Sequence, residues 1–398
     1  MLQRRWIYTG LLVLVLFAGC SGGDQKPSGE LTVGLIAVMS GELFRYGQDA
    51  VEAARFAAKE ANDQGGVPLG PASDAPRLKV RLLTEDSRHD PQTAADAAAK
   101  LIEKDGAAAI IGPVFSTLAE DVASVAQRLR TPMITPFATV SSLTHGKKYV
   151  FRIPDNNNVQ GQALAWYAFN ELKISTAAVL FDASDVYARE FDQVFTKDFT
   201  AFGGKITANA PYGKAERNFG ALLRDIVAGA PDTVFLPNAY KEVMIQVREL
   251  RKLGFKKVVI GPDSWKGREL FGAREFRNTV FIDHWLPDMP TPGNKAFVAA
   301  YEKMYNHPPT EMAALTYDAF GALFAAVRRA GDANPQKIAQ ALVDMPPYQG
   351  VTGLVEFNVT GDPVTEIFMV RIDPNGETSI TRFCPTELQQ KADPSSDQ

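Results

Sequence analysis

From residue 31 the chain alternates short apolar runs with stretches whose apolar positions recur three and four apart. LTVGLIAV reads as a buried strand, and MSGELFRYG as the polar loop after it. QDAVEAARFAAKEANDQGG reads as a helix closed by Gly65-Gly66. VPLGPASDAP is a Pro/Gly-rich surface loop, and RLKVRLLTED is a strand. Asp90-Pro91 opens the helix PQTAADAAAKLIEKDG, with proline in its first turn. AAAIIG and TPMITP are strands, with the helix STLAEDVASVAQRL between them. Such alternation predicts parallel βαβ units with helices on both faces of a sheet.

A second series follows YVFRIPDNNN. The strands TAAVLFD, KITANAPYG, DTVFLP and KKVVIGP alternate with four helical stretches, the first being VQGQALAWYAFNELK. TVFIDHWLPDMP reads as a crossover, and three helices over residues 295–345 are expected to return to the first unit. TGLVEFNVTGDPVTEIFMVRID reads as a hairpin turning at Thr360-Gly361-Asp362 and added to the second unit. The predicted fold class is α/β, with two doubly wound parallel-sheet lobes joined by a multi-strand hinge. Lobe one takes 31–153 and 286–346, lobe two takes 154–285 and 347–383, and the polar tail 384–398 is expected to be disordered. In such sheets ligands bind beyond the carboxyl ends of the strands, so the cleft between two lobes is the expected site.

The N-terminus changes the picture of where this fold works. Arg4 and Arg5 precede an apolar run of about a dozen residues, which suits a signal peptide and is short for a span of roughly 20. The run ends Leu16-Phe17-Ala18-Gly19-Cys20, and small residues before a cysteine resemble a bacterial lipoprotein cleavage site. Residues 1–19 are read as the signal, Cys20 as the lipidated residue, and 20–30 as a tether. Ser21 resembles the outer-membrane sorting signal, if the source is Gram-negative. The expected location is the cell envelope, facing the periplasm or the exterior. Cys384 is the only other cysteine, so a disulfide framework and a cysteine metal site are excluded. Without residues 1–19, basic residues fall from 42 to 40 against 46 acidic ones, a mildly acidic balance that disfavours nucleic acid.

Catalytic signatures are missing: no GxSxG, HExxH, CxxC, Walker loop or GxGxxG after a strand. The four histidines, His89, His145, His284 and His307, lack ligand spacing. No cofactor or metal is expected. A binding constellation remains. Ser116 opens a helix after a Gly-Pro turn, where free N–H groups and positive partial charge suit a carboxylate; it is equally an ordinary N-cap. Thr139 follows the neighbouring strand, as a ligand contact or a plain loop residue. Asp263 ends a strand of the second lobe, where it would accept an ammonium or cap the next helix.

MSGELFRYG, the GPVFS turn, MITPFAT, GPDSW and TYDAF, in this order and spacing, resemble the branched-chain amino-acid-type solute-binding proteins of bacterial ABC importers. The likeness covers residues 31 to about 372 and implies the type I periplasmic binding fold. It implies a non-enzymatic, monomeric receptor that captures an amino acid, branched-chain or otherwise apolar, and delivers it to an inner-membrane ABC permease. It also implies roles for residues. Ser116 binds the ligand carboxylate, Thr139 meets carboxylate and ammonium beside the Phe137 and Ala138 backbone, and Tyr187 closes from lobe two. Asp263 takes the ammonium, and Tyr46 and Phe115 lie near the ligand side chain. Phe137, Pro262, Trp265, Phe44 and Trp285 depart from the family pattern and point to a larger apolar or aromatic ligand, or to another metabolite. The competing classes are an envelope sensor or adaptor that binds an amide or other small metabolite without transport, and an envelope enzyme.

Overall fold

The computed structural model describes residues 29–383 except 42, 214, 266–269, 271 and 364–365. The signal segment, Cys20 and the tail with Cys384 lie outside the described residues. The first sheet contains β1 (Glu30–Ala37), β2 (Val67–Pro68), β3 (Arg77–Asp86), β4 (Ala109–Ile111), β5 (Met133–Thr135) and β6 (Val150–Arg152), in the order β2-β3-β1-β4-β5-β6. All its pairings are parallel except β2 with β3. β1 is buried along seven of its eight positions, as expected for a strand covered on both faces. Helices α1 (Phe44–Asp63), α9 (Glu311–Ala330) and α10 (Pro335–Asp344) cover one face, and α2 (Pro91–Ala99) and α3 (Ser116–Leu129) the other.

The second sheet runs β15-β14-β11-β10-β9-β7-β8. Its parallel part is β7 (Thr176–Asp182), β8 (Lys205–Tyr212), β9 (Thr233–Phe235), β10 (Val258–Gly261) and β11 (Thr279–Asp283). β12 (Tyr348–Gln349) and β13 (Leu354–Val355) form a separate antiparallel pair, and the antiparallel β14 (Ile367–Ile372) and β15 (Thr378–Phe383) extend the second sheet's edge. Helices α4 (Asn157–Trp166) and α5 (Val186–Ala201) pack on one face, with α6 (Gly220–Ala228) and α7 (Tyr240–Lys252) on the other. α8 (Asn294–Tyr305) reaches α1, where Phe56 meets Phe297 and Tyr301.

Three details differ from the sequence expectation. Residues 279–283 are a fully buried strand, not part of a crossover, because three of them pair with β10 and all five with β14. The hairpin is displaced: β14 pairs with β15, while the turn at 358–362 serves the passage between lobes. Val355 and Phe357 pack in the first lobe's core, so the return to lobe two falls after 357 and not at 347. The chain therefore passes between lobes near 153–156, 284–293 and 358–363.

Candidate ligand cleft between the two sheets

A cleft of about 900 Å³ lies between the carboxyl ends of the two parallel sheets. Lobe one contributes the segments after β1, β3, β4 and β5; lobe two contributes those after β7, β9, β10 and β11. Two glycines allow the lobe-one segments to converge. A Cβ on Gly47 would stand 1.8 Å from the Val38 carbonyl oxygen, so only glycine lets α1 approach β1's end. Gly112 has φ +95, and a Cβ there would stand 2.3 Å from the Ile36 oxygen.

Ser116 is buried on the lobe-one wall. It does not cap α3, whose N-cap position is Phe115 without a side-chain cap. Its Oγ instead accepts the N–H groups of Thr139 at 3.2 Å and Val140 at 3.3 Å. A serine hydroxyl has two lone pairs and one O–H. With both lone pairs taken by amides, its O–H remains as a donor at the start of a 14-residue helix. Thr135 works alongside: its Oγ1 donates to the Pro113 oxygen at 2.6 Å and accepts from Ala138 N–H at 3.0 Å. Neutral groups thus fix the Ser116 loop on a wall that Asp49, Arg88 and His89 also line.

Phe115, Phe137 and Tyr46 line the apolar end, packed on Val114 and Met312. Tyr46 and Phe115 meet edge to face at 5.3 Å, and His89 lies 4.9 Å from the Phe115 ring. Ala138 and Thr139 are fully buried and do not line the cleft, because their amides turn inward to Thr135 and Ser116. The Thr139 hydroxyl is buried there without a hydrogen-bond partner. Of the aromatics expected to enlarge the site, Phe137 and Trp285 line it. Trp265 is core, its ring over Gly261 and its Nε1 bonded to the Leu236 oxygen at 3.0 Å. Phe44 is exposed outside the cleft.

The lobe-two wall is charged and cross-linked. Tyr187 and Asp263 both belong to it, and the Tyr187 hydroxyl donates to Asp263 Oδ1. Asp263 Oδ2 is 3.0 Å from Gln160 Nε2 and 3.0 Å from His284 Nε2. The Asp263 side chain has no exposure and pairs with His284. Burial pushes His284 down, but its hydrogen bond to Asp263 and the charges of Asp263, Asp155 and Asp283 prevail and raise it. Burial lifts Tyr187 far up, with Asp263's charge adding to it, so it stays a hydroxyl donor. Beyond this pair, Glu311 Oε1 accepts His284 N–H at 2.6 Å and Asp283 Oδ1 accepts Trp285 N–H at 3.2 Å. Burial pushes the Asp283 carboxyl up to about 6. Burial and Asp283's charge raise Glu311 well above the usual carboxylate range. Burial thus holds the protons of Asp283 and Glu311 to higher pH than ordinary carboxyls, on a wall that Arg217 and Lys241 also line.

Gln160, Asp283, His284 and Glu311 were not singled out as binding groups by the sequence. They come from α4, β11's end, a crossover and α9, and no spacing connects them. Among the described residues no group of three or more His, Cys, Asp or Glu is arranged to hold a metal ion. Among the same residues no helix is long and apolar enough to cross a membrane.

The profile of a family described as "Periplasmic binding protein" matches residues 30–377. The chain belongs to the periplasmic binding protein family. It is therefore an extracytoplasmic solute-binding protein and not an enzyme, and the two-lobe α/β fold is that of its type I members. Among curated relatives, a Leu/Ile/Val-binding protein, BraC3, of Rhizobium johnstonii is 27% identical over 343 residues, which span 85% of this chain and 90% of the relative. The leucine-binding protein LivK of Thermotoga maritima superposes with a TM-score of 0.80 at 27% identity, covering 90% of this chain and 99% of that one. The fold is also that of the branched-chain amino-acid binding protein LivJ of Streptococcus pneumoniae in complex with isoleucine. That match has a TM-score of 0.79 at 24% identity, covering 89% of this chain and all of the other.

Proposed function

We propose that the cleft captures an α-amino acid with an apolar side chain and presents it to an ABC importer. The observation that carries this reading is the opposition of the two walls. A Ser116 O–H donor at a helix start and the carboxyl groups of Asp263 and Asp283 line one cavity. That pattern matches a zwitterion, whose buried charges each need a partner. The carboxylate would meet Ser116. The ammonium would meet the Asp283 side of the acidic wall, with Asp263 acting through its contacts to Tyr187 and His284. Tyr46, Phe115 and Phe137 would enclose the side chain. The Leu/Ile/Val-binding relative supports the same ligand class. Three crossovers allow the lobes to close on the ligand, which a permease would then read as the closed state. Cys20 would carry the lipid that holds this monomer at the membrane.

A second reading keeps the receptor but omits the ammonium. The sealed Asp263 carboxylate, already paired with His284, favours it. Its ligand would be a simple organic acid held by Ser116.

The test is calorimetric titration of the soluble form from Ser21, unfolded and refolded to strip bound ligand, against the twenty amino acids. Binding of one or a few apolar amino acids supports the first reading. Silence with all twenty, together with binding of an apolar carboxylic acid, transfers the site to the second. Mass spectrometry of the mature N-terminus tests the anchor: a lipid adduct at Cys20 is expected, and an unmodified thiol would contradict it.

A further inference from the structure

The loop after β5 has its amides held one after another by side-chain acceptors. Thr135 takes those of Phe137 and Ala138, and Ser116 takes those of Thr139 and Val140. The next, Ser141, is held from the other lobe. Its N–H lies 3.1 and 3.0 Å from the two carboxylate oxygens of Glu190, on α5. Glu190 stands one helical turn beyond Tyr187, is half-buried, and does not line the cleft. Asn157, just past the first crossover, donates its Nδ2 to Glu190 Oε2 at 2.6 Å, which aims the carboxylate at the loop. The Asn157 N–H itself reaches the Thr139 oxygen at 2.8 Å.

The carbonyl side of the same peptides is held as firmly. The buried Arg152 donates to the Val140 oxygen at 2.8 Å and is ion-paired with Asp362 at 2.6 Å, from the third passage between lobes. Val140 and Ser141 thus lie between a lobe-one hydroxyl, a hinge cation and a lobe-two anion. The hydroxyl and the cation stay with lobe one and the hinge when the lobes part. The anion moves with α5.

We propose that Glu190 is a cross-lobe positioning residue: it completes the Ser116 loop only when lobe two is in place, and so links lobe closure to the geometry of the carboxylate site. This rests on the reading of Ser116 as the anion-binding group. Without Glu190 the Ser141 amide loses a charge-assisted acceptor, the loop relaxes, and the Thr139 and Val140 amides that orient the Ser116 hydroxyl relax with it. Glu190 touches no ligand, so its loss speeds release and leaves capture unchanged.

The test compares the mature protein with its Glu190→Ala and Glu190→Gln variants. Hydrogen exchange of the Ser141 amide in ligand-free protein should be at least about tenfold faster in Glu190→Ala, the equivalent of one lost charge-assisted bond. Sheet amides and Tm should be unchanged, and Glu190→Gln should fall between, since its carbonyl oxygen still accepts. Equal Ser141 exchange in wild type and Glu190→Ala overturns the proposal. With the amino acid found by titration, stopped-flow should show faster release and unchanged association in Glu190→Ala; equal release rates overturn the link to the site. If wild type binds no amino acid, the ligand reading fails by itself while the exchange comparison still decides the role of Glu190.

Discussion

The two walls of the cleft solve opposite problems. The Ser116 part of the lobe-one wall is built from neutral hydroxyls and amides within one βαβ unit: Ser116 and Thr135 hold the loop that follows β5. The lobe-two wall is built from groups of distant origin: Asp263, His284 and Asp283, bridged by Tyr187 and Gln160 and met by Glu311 from α9 of lobe one. The first needs only that two adjacent strand ends lie side by side, which parallel pairing of β4 and β5 ensures. The second exists only after four elements from both lobes have folded together. The neutral wall should therefore separate binding from stability more cleanly than the charged wall does.

The sharpest break of that comparison is Asp263→Ala. It leaves the raised, buried His284 without its partner, so it should destabilise the empty protein by about 3–5 kcal/mol as well as weaken binding. Thermal unfolding decides this; an unchanged Tm would mean the pair is not structural. Ser116→Ala comes next. Losing an O–H donor to a carboxylate should weaken binding by about 1.5–3 kcal/mol, with a smaller drop in Tm from the two amides released.

The third prediction concerns pH. Burial raises Asp283 from its ordinary 3.8 to about 6, so the folded state holds a proton that the unfolded state gives up. Its contribution to stability is complete below about pH 4 and is lost as pH rises through about 6, on the order of 3 kcal/mol at most. Glu311 and His284, both raised, act with the same sign. Tm of the empty protein should fall between pH 4.5 and 7 from this cluster, and Asp283→Asn should flatten that fall; an unchanged slope would remove Asp283 from the account. The smallest effect belongs to the apolar end. Phe115→Leu should cost about 1 kcal/mol of binding through lost contact with Tyr46 and the ligand, measured by calorimetry.

The same contrast explains what the sequence made legible. The alternation of strands and helices identified both lobes, because each segment carries its own period. Ser116 was legible because a Gly-Pro turn before a helix is a local signal, although the hydroxyl turned out to hold the neighbouring loop and not its own helix. β11 was taken for a crossover because its three apolar residues, Val280 to Ile282, are too short a run to separate strand from connection. The Thr-Gly-Asp turn suggested a hairpin, but its Gly361, at φ +81, packs against the Val150 oxygen in the passage between lobes. The partners of Asp263 were illegible because Gln160 and His284 lie 103 and 21 residues away and only the packed hinge brings them together.

The central claim is that the site is bipolar, with one wall for each charge of an amino acid. The most direct measurement is a three-way calorimetric comparison on wild-type protein: the tightest-binding amino acid, its α-amide, and the 2-hydroxy acid with the same side chain. Each analogue removes one charge. Losses of about a hundredfold or more for both are predicted, since each strands a buried charged or donor group. A hydroxy acid that binds as tightly as the amino acid would contradict the claim and leave only the Ser116 wall as the recognition site.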